Sequence, residues 1–343
     1  MEEFCERIKE EIASLLPEEN IEKIRIQSVE KNNGKTYTGL VILTEGSNIA
    51  PTIYMEQYYE EYLNGRYYHN ILKDIAEVYI SHKPTEDFDV SKVLSYENAK
   101  DNIICKLINY EQNKEMLQNM PHRKVEDLAI IYQIKVPDFA EDEMATVKLN
   151  NAHMQRLGVD EETLYKVAME NTKRLMPPSL EDMLGFLKLS MGADMANMLD
   201  LDLDEAEDMI ENTYNGMIPM YILSNSKKIN GAISILDPDT MDKMAAIIGE
   251  KYFVIPSSVH EVIVIPFNGD YQEYKRYEQM VEEVNATQLS PEEILSGRMY
   301  MVDAKHHKFM LAENALDYER ELQKKNEKQL EKEKEIKIAG PKL

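Results

Sequence analysis

Tryptophan is absent from this chain, and only two of its 343 residues are cysteine, Cys5 and Cys105. Two cysteines so far apart form neither a chelating motif nor a disulfide framework, so the sequence predicts a reducing, cytoplasmic setting. No apolar run approaches the roughly 20 residues of a bilayer-spanning helix, and no membrane association is expected. The first residues, Met1-Glu2-Glu3-Phe4-Cys5-Glu6, are acidic where a signal peptide would be basic. Walker loops, Gly-x-Gly-x-x-Gly and Gly-x-Ser-x-Gly are also missing, so no nucleotide site of those types and no cofactor is expected. His69, His82, His122, His153 and His260 are scattered without partners at ligand spacing, and His306-His307 sits on a predicted hairpin tip, so no metal site is expected.

Basic residues are in deficit. There are 63 acids against 39 bases, a formal charge of −24. From Glu313 to the end eight acids cancel eight bases, so the whole excess belongs to residues 1–312. The stretch from Pro137 to Asn212, with 18 acids and 6 bases, supplies half of it. Such a field repels nucleic-acid phosphates and anionic membranes and attracts a basic protein partner; direct nucleic-acid binding is not expected.

A hydrophobic fraction of 43% is enough to build cores. Residues 3–16 place Phe4, Ile8, Ile12 and Leu15 on one helical stripe. Alternating runs at 24–29 and 36–43 flank Asn32-Asn33-Gly34, a pair of strands around a tight turn that needs positive φ. Ala50-Pro51 predicts a helix running to about Ser81 with a break near Asn64-Gly65, and Tyr54, Tyr58 and Tyr62 share one of its faces. Strands are predicted at 102–110, 126–136 and 144–149, and a helix at 160–174 that Pro177-Pro178 ends. Two helices follow between Ser179 and Tyr214. Ile218 to Phe267 reads as strand, turn, strand, helix, strand, hairpin, strand. A helix over 270–284, a hairpin over 299–312 and a charged helix from Glu313 complete the chain. The fold class is α+β, with mixed or antiparallel sheets and packed helices in two halves. The domains expected are 1–176, 177–312 and a helical tail over 313–343.

Four features bear on function. In Pro256-Ser257-Ser258-Val259-His260-Glu261 a hydroxyl, an imidazole and a carboxylate lie side by side, which makes Ser258 and His260 candidates for a serine-type hydrolase. On an extended backbone, however, Glu261 would point away from His260, and the bland reading is a hairpin loop whose hydroxyls satisfy loop amides. Counted from Asp200, the run Asp200-Leu201-Asp202-Leu203-Asp204-Glu205-Ala206-Glu207 has the oxygens of a calcium loop, but Glu205 stands where glycine must turn the chain. An aspartate N-cap followed by a helix with an acidic first turn explains it better.

The third feature is methionine. Met176, Met183, Met191, Met195, Met198, Met209, Met217 and Met220 could line a groove rimmed by carboxylates, or could fill a core. The fourth is Tyr67-Tyr68-His69, which could form an exposed recognition patch or pack inward.

Several segments together resemble an uncharacterised bacterial family often carried on mobile genetic elements. They are Asn48-Ile49-Ala50-Pro51-Thr52-Ile53-Tyr54, Leu107-Ile108-Asn109-Tyr110 with Asn113, Ile222-Leu223-Ser224-Asn225, the 256–261 run, and Val284-Asn285-Ala286-Thr287. The resemblance covers most of residues 20–312. It implies an intracellular accessory protein of α+β architecture and brings no catalytic residues. The sequence reading is therefore a non-enzymatic protein-binding module, with Asp200, Asp202, Asp204, Glu207, Tyr67, Tyr68 and His69 as the contact residues. A hydrolase centred on Ser258 and His260, or an acidic DNA mimic that inhibits a basic protein, is the alternative.

Overall fold

The structure, a computed structural model, describes residues 1–46, 50–83, 95–136, 144–214, 216 and 218–339, without the side chains of 327 and 329–339. Met217 of the methionine group and Asn48 and Ile49 of the family-like segments lie outside that set. The fold is α+β, built on three antiparallel sheets. Among the described residues no helix is long and apolar enough to cross a membrane. Two compact units interleave along the chain: residues 1–102, 112–120 and 134–160 form the first, and 103–111, 121–133 and 161–343 the second.

The first unit opens with α1 (Glu2–Glu11), followed by the hairpin of β1 (Ile21–Glu30) and β2 (Thr36–Thr44). Asn33 and Gly34 turn the hairpin at φ 60° and 65°, the left-handed region that Asn and Gly tolerate best. A third strand, β3 (Thr52–Tyr54), pairs antiparallel with β2, so Pro51 opens no helix. The β-branched Thr52 and Ile53 lie opposite Val41 and Leu40, and this pairing outweighs the helical start suggested by proline.

Helix begins only at α2 (Glu56–Leu63), and Gly65 at φ 88° separates it from α3 (Tyr68–His82). Tyr54 therefore leaves the predicted tyrosine face and instead packs its ring 5.6 Å from Tyr37. Ile8, Ile12, Leu40, Ile42, Ile71 and Ile75 are fully buried at the centre of this unit.

Within the second unit β4 (Ile103–Asn109) and β5 (His122–Val125) both pair with β6 (Leu128–Lys135). The short β7 (Thr146–Lys148) and α4 (Asn151–Leu157) belong to the first unit. α5 (Glu161–Leu175) lies on β4, where Thr172 Oγ1 accepts from the Cys105 amide at 3.0 Å and Asn171 donates to the Ile103 carbonyl at 3.0 Å. Next come β8 (Pro178–Asp182), α6 (Met183–Leu199), α7 (Leu203–Tyr214), β9 (Tyr221–Asn225) and α8 (Pro238–Ile248). After them follow β10 (Lys251–Ile255), β11 (Val262–Pro266), α9 (Tyr274–Thr287), β12 (Tyr300–Asp303), β13 (Lys308–Leu311) and α10 (Ala315–Ala339).

Six of these strands form one antiparallel sheet in the order β13-β12-β10-β11-β9-β8. β8 was not predicted, because two prolines precede its apolar position. Pro178 is tolerated as the first residue of an edge strand, where one missing donor costs little. The strand predicted after β9 is a 3₁₀ segment, Gly231–Leu236. Ala232, Ile233, Ser234 and Ile235 are all buried, so this run has no exposed face for an alternating strand to present.

Candidate functional site

Pro256 to Glu261 closes the β10–β11 hairpin as a turn, with the Ser258 amide donating to the Glu261 carbonyl at 3.0 Å. The turn is not extended, so its side chains do not alternate between two faces as those of a strand would. Buried Ser258 accepts the His260 amide on its Oγ at 3.0 Å. His260 Nδ1 accepts the Asn230 amide at 3.2 Å, which leaves the proton of the neutral ring on Nε2. Nε2 lies 3.7 Å from Glu293 Oε1. A base for serine needs an imidazole lone pair aimed at the hydroxyl, and here that lone pair belongs to Asn230. Burial, then the charge of Lys106, holds the His260 pKa below its ordinary value, with Glu293 opposing, so the ring is neutral near pH 7. Glu261 faces elsewhere: burial raises its carboxyl above the usual range, with Lys228 opposing.

The residues around the turn act as a lock. Ser224 Oγ donates to the His260 carbonyl at 2.8 Å, and the Val259 amide donates to the Glu293 carbonyl at 2.9 Å. Glu293 is held from behind, because Asn109 Nδ2 donates to the Leu295 carbonyl at 3.1 Å. Asp127 takes hydrogen bonds from Ser296 Oγ at 2.8 Å and from the Tyr300 hydroxyl at 2.7 Å. Asn225, fully buried, accepts from the Lys227 amide at 3.0 Å and donates to the Ile229 carbonyl at 2.7 Å, which shapes the turn into Gly231. Asn109 and Asn225, taken from the family-like segments, thus serve architecture. Asp127 and Glu293 were missed because nothing local marks a residue whose partners lie far away in sequence.

The acidic run forms the joint of a helical hairpin. Asp200 ends α6 at φ 57°, in the left-handed region, and Asp202 caps α7. Asp202 Oδ1 accepts from the Glu205 amide at 2.8 Å, and Glu205 Oε2 accepts from the Asp202 amide at 3.3 Å, a reciprocal capping box. Asp204 and Asp208 are exposed and Glu207 is half-buried.

α6 carries only Lys188 and Asp194 as charged residues, and its apolar side chains occupy every side of the helix. It buries only Gly192 and Ala196. A Cβ on Gly192 would lie 3.4 Å from Leu203 Cδ1 and 3.6 Å from Glu207 Cγ, so α7 covers this narrow side. Leu189 and Met198 remain 86% exposed, and Phe186, Met191, Leu199 and Met209 are also exposed. A helix that is apolar all round is ordinarily enclosed. Of the methionines predicted to fill a core or line a groove, Met176 is buried, whereas Met191, Met198 and Met209 face solvent.

Tyr67, Tyr68 and His69 belong to the first unit, whereas the hairpin belongs to the second. Tyr68 is half-buried among Phe4 and Tyr62, with the Arg7 guanidinium 3.8 Å from its ring centre. Burial raises its phenol to about 12. Tyr67 is 71% exposed and His69 is exposed, so these two form the outward part of the predicted patch.

Among the described residues no group of three or more His, Cys, Asp or Glu side chains is placed to hold a metal ion. His306 Nδ1 contacts Asp303 at 2.8 Å and His307 Nε2 contacts Asp242 at 2.9 Å, each a simple pair. Arg123 grips Glu161 with two nitrogens at 2.8 and 3.1 Å and lies 3.9 Å over the Tyr165 ring, while the Tyr132 hydroxyl also donates to Glu161. This cluster is internally satisfied and joins β5 and β6 to α5. A crevice beside Thr172, Lys173, Ser234 and Asp237 is about the size of a single water molecule.

No curated protein and no solved structure matches the chain. A family of unknown function, DUF5688, matches residues 1–304, which leaves α10 outside the match. The chain is therefore a member of the DUF5688 family.

Proposed function

We propose that this protein is a non-enzymatic binding module that engages a basic protein partner through the α6–α7 hairpin. One observation carries the reading: α6 is apolar on every side, yet Leu189 and Met198 stand 86% exposed beside the carboxylates of α7. Large exposed apolar surface rimmed by charge marks interaction sites. The neutral His260 ring, whose lone pair already accepts a backbone amide, supports binding over hydrolysis at the 256–261 turn. The cytoplasm suits the module, since both cysteines are buried thiols and burial raises Cys105 to about 12. Exposed Tyr67 and His69 offer a second contact on the other unit. On this reading the partner is encoded beside the protein, as an accessory gene on a mobile element would have it.

The test is to cross-link a partner to the purified chain, identify it, and measure its affinity for variants. Asp204→Lys with Glu207→Lys should weaken binding, and so should added salt. Asp202 is left intact because it caps α7. Binding indifferent both to salt and to the two reversals would refute the reading.

A further inference from the structure

We infer that the element seated on the α6–α7 hairpin is a basic amphipathic helix of the partner, which completes a three-helix layer; the inference rests on the binding-module reading above. The side of α6 toward α7 is narrow and already covered, through Gly192 and Ala196. Away from that side, Leu184, Leu187, Met191, Met195 and Met198 are spaced three, four, four and three residues apart, which puts them on one side of α6; none is buried, and together they extend along the helix for about 20 Å at 1.5 Å per residue. That length matches a partner segment of about four helical turns.

The occupant meets α6 through side chains. Backbone groups within a helix are bonded to one another, so α6 offers no free edge to an added strand. Helix packing is the remaining way to cover such a surface, and methionine adapts to the ridges of a second helix.

Charge selects the kind of helix. Residues 183–214 hold eight carboxylates against the single Lys188, a formal −7, and Lys188 is already paired with Glu211 at 2.5 Å. A second copy would set one −7 hairpin against another. A helix with leucine-like residues on one face and Lys or Arg on its flanks meets both the apolar surface and the carboxylates of Asp204, Glu207 and Asp208.

The experiment uses the full chain and two labelled 14-residue peptides of identical Leu/Lys composition. One places its leucines at i, i+3, i+4 and i+7; the other distributes them evenly around the helix. Fluorescence anisotropy should show the amphipathic peptide binding at least tenfold tighter than its isomer, with a gain in helical circular dichroism. Met191→Ser with Met198→Ser should weaken it at least tenfold, and the exposure of both sites keeps the fold intact. Equal binding of the two peptides overturns the helical occupant while leaving a basic partner in place. Failure of both peptides to bind overturns it as well. So does a chain that sediments as a dimer which Met198→Ser dissociates, because the surface then belongs to a second copy. Failure of the underlying reading registers separately, as indifference of the cross-linked partner to Asp204→Lys and Glu207→Lys.

Discussion

The Asn230 amide donates to Nδ1 of His260 at 3.2 Å, so a backbone turn thirty residues upstream fixes which imidazole nitrogen carries the proton. Ser258, two residues before the histidine, accepts that histidine's own amide. Fluorophosphonate should therefore leave Ser258 unlabelled. Ser258→Ala should cost about 1 kcal/mol of stability, the net worth of one hydrogen bond, read by denaturant melts. Labelling that disappears in Ser258→Ala would show that the ring leaves Asn230 and turns to the serine.

His260 also sets a dependence on pH. Its folded pKa lies below the unfolded value of 6.5, so the unfolded chain binds the proton more readily. The stability it contributes is full above that value and is lost as pH falls toward the folded pKa. Glu261 acts in the opposite sense, because burial raises its folded pKa. Its contribution is full below the unfolded carboxylate range and is lost as pH rises through the folded pKa. Melting curves from pH 4 to 8 should show Glu261→Gln stabilised at neutral pH, with the gain vanishing in acid. His260→Gln should lose part of the decline that the parent chain shows below about pH 6.5. Parallel pH profiles for all three chains would contradict both assignments.

Gly231 is required by close approach. A Cβ there would lie 2.6 Å from the His260 carbonyl oxygen and 2.7 Å from the Asn225 amide nitrogen, both backbone atoms, with Ser224 Oγ also in contact. Backbone cannot rotate aside as a side chain can. Gly231→Ala should destabilise the second unit by about 3 kcal/mol, the upper part of the range for overpacking. A shift in melting no larger than that of a surface substitution would show that the turn has room to relax.

The two aspartates Asp202 and Asp204 should separate by role. Asp202→Ala removes the cap of α7 and should cost about 1 kcal/mol. Asp204, exposed and without a hydrogen bond among the described residues, should tolerate alanine within about 0.5 kcal/mol. Thermal melts of the two variants make the comparison. Equal losses would mean that the first turn of α7 is held by its acids collectively rather than by one capping side chain.

Where a residue's neighbours in sequence decide its state, reading the sequence was enough. The left-handed turn at Asn33-Gly34, the break at Gly65, the acidic start of α7 and the hairpin around residues 305–307 follow from local chemistry. The same holds for the helix over 161–175, whose stripe of Leu164, Ala168 and Asn171 is buried. Local chemistry misleads where pairing outweighs propensity. Pro51 precedes a strand because Val41 and Leu40 lie opposite Thr52 and Ile53, and 231–236 coils because it is enclosed throughout. Neither fact is visible in the segment itself.

Composition and periodicity alone determined the α+β class, the acidic field and the absence of the familiar nucleotide motifs, since these depend on residue type and short-range spacing. Tertiary structure decided which carboxylate faces His260, that Tyr68 turns inward while Tyr67 does not, and that Met191 and Met198 of α6 are exposed. It also decided that the chain returns twice to each unit. The physical reason is distance: burial, proton position and exposure are set by atoms brought close in space, and Asp127 with Tyr300 or Asn109 with Leu295 share no local pattern by which a sequence could announce them.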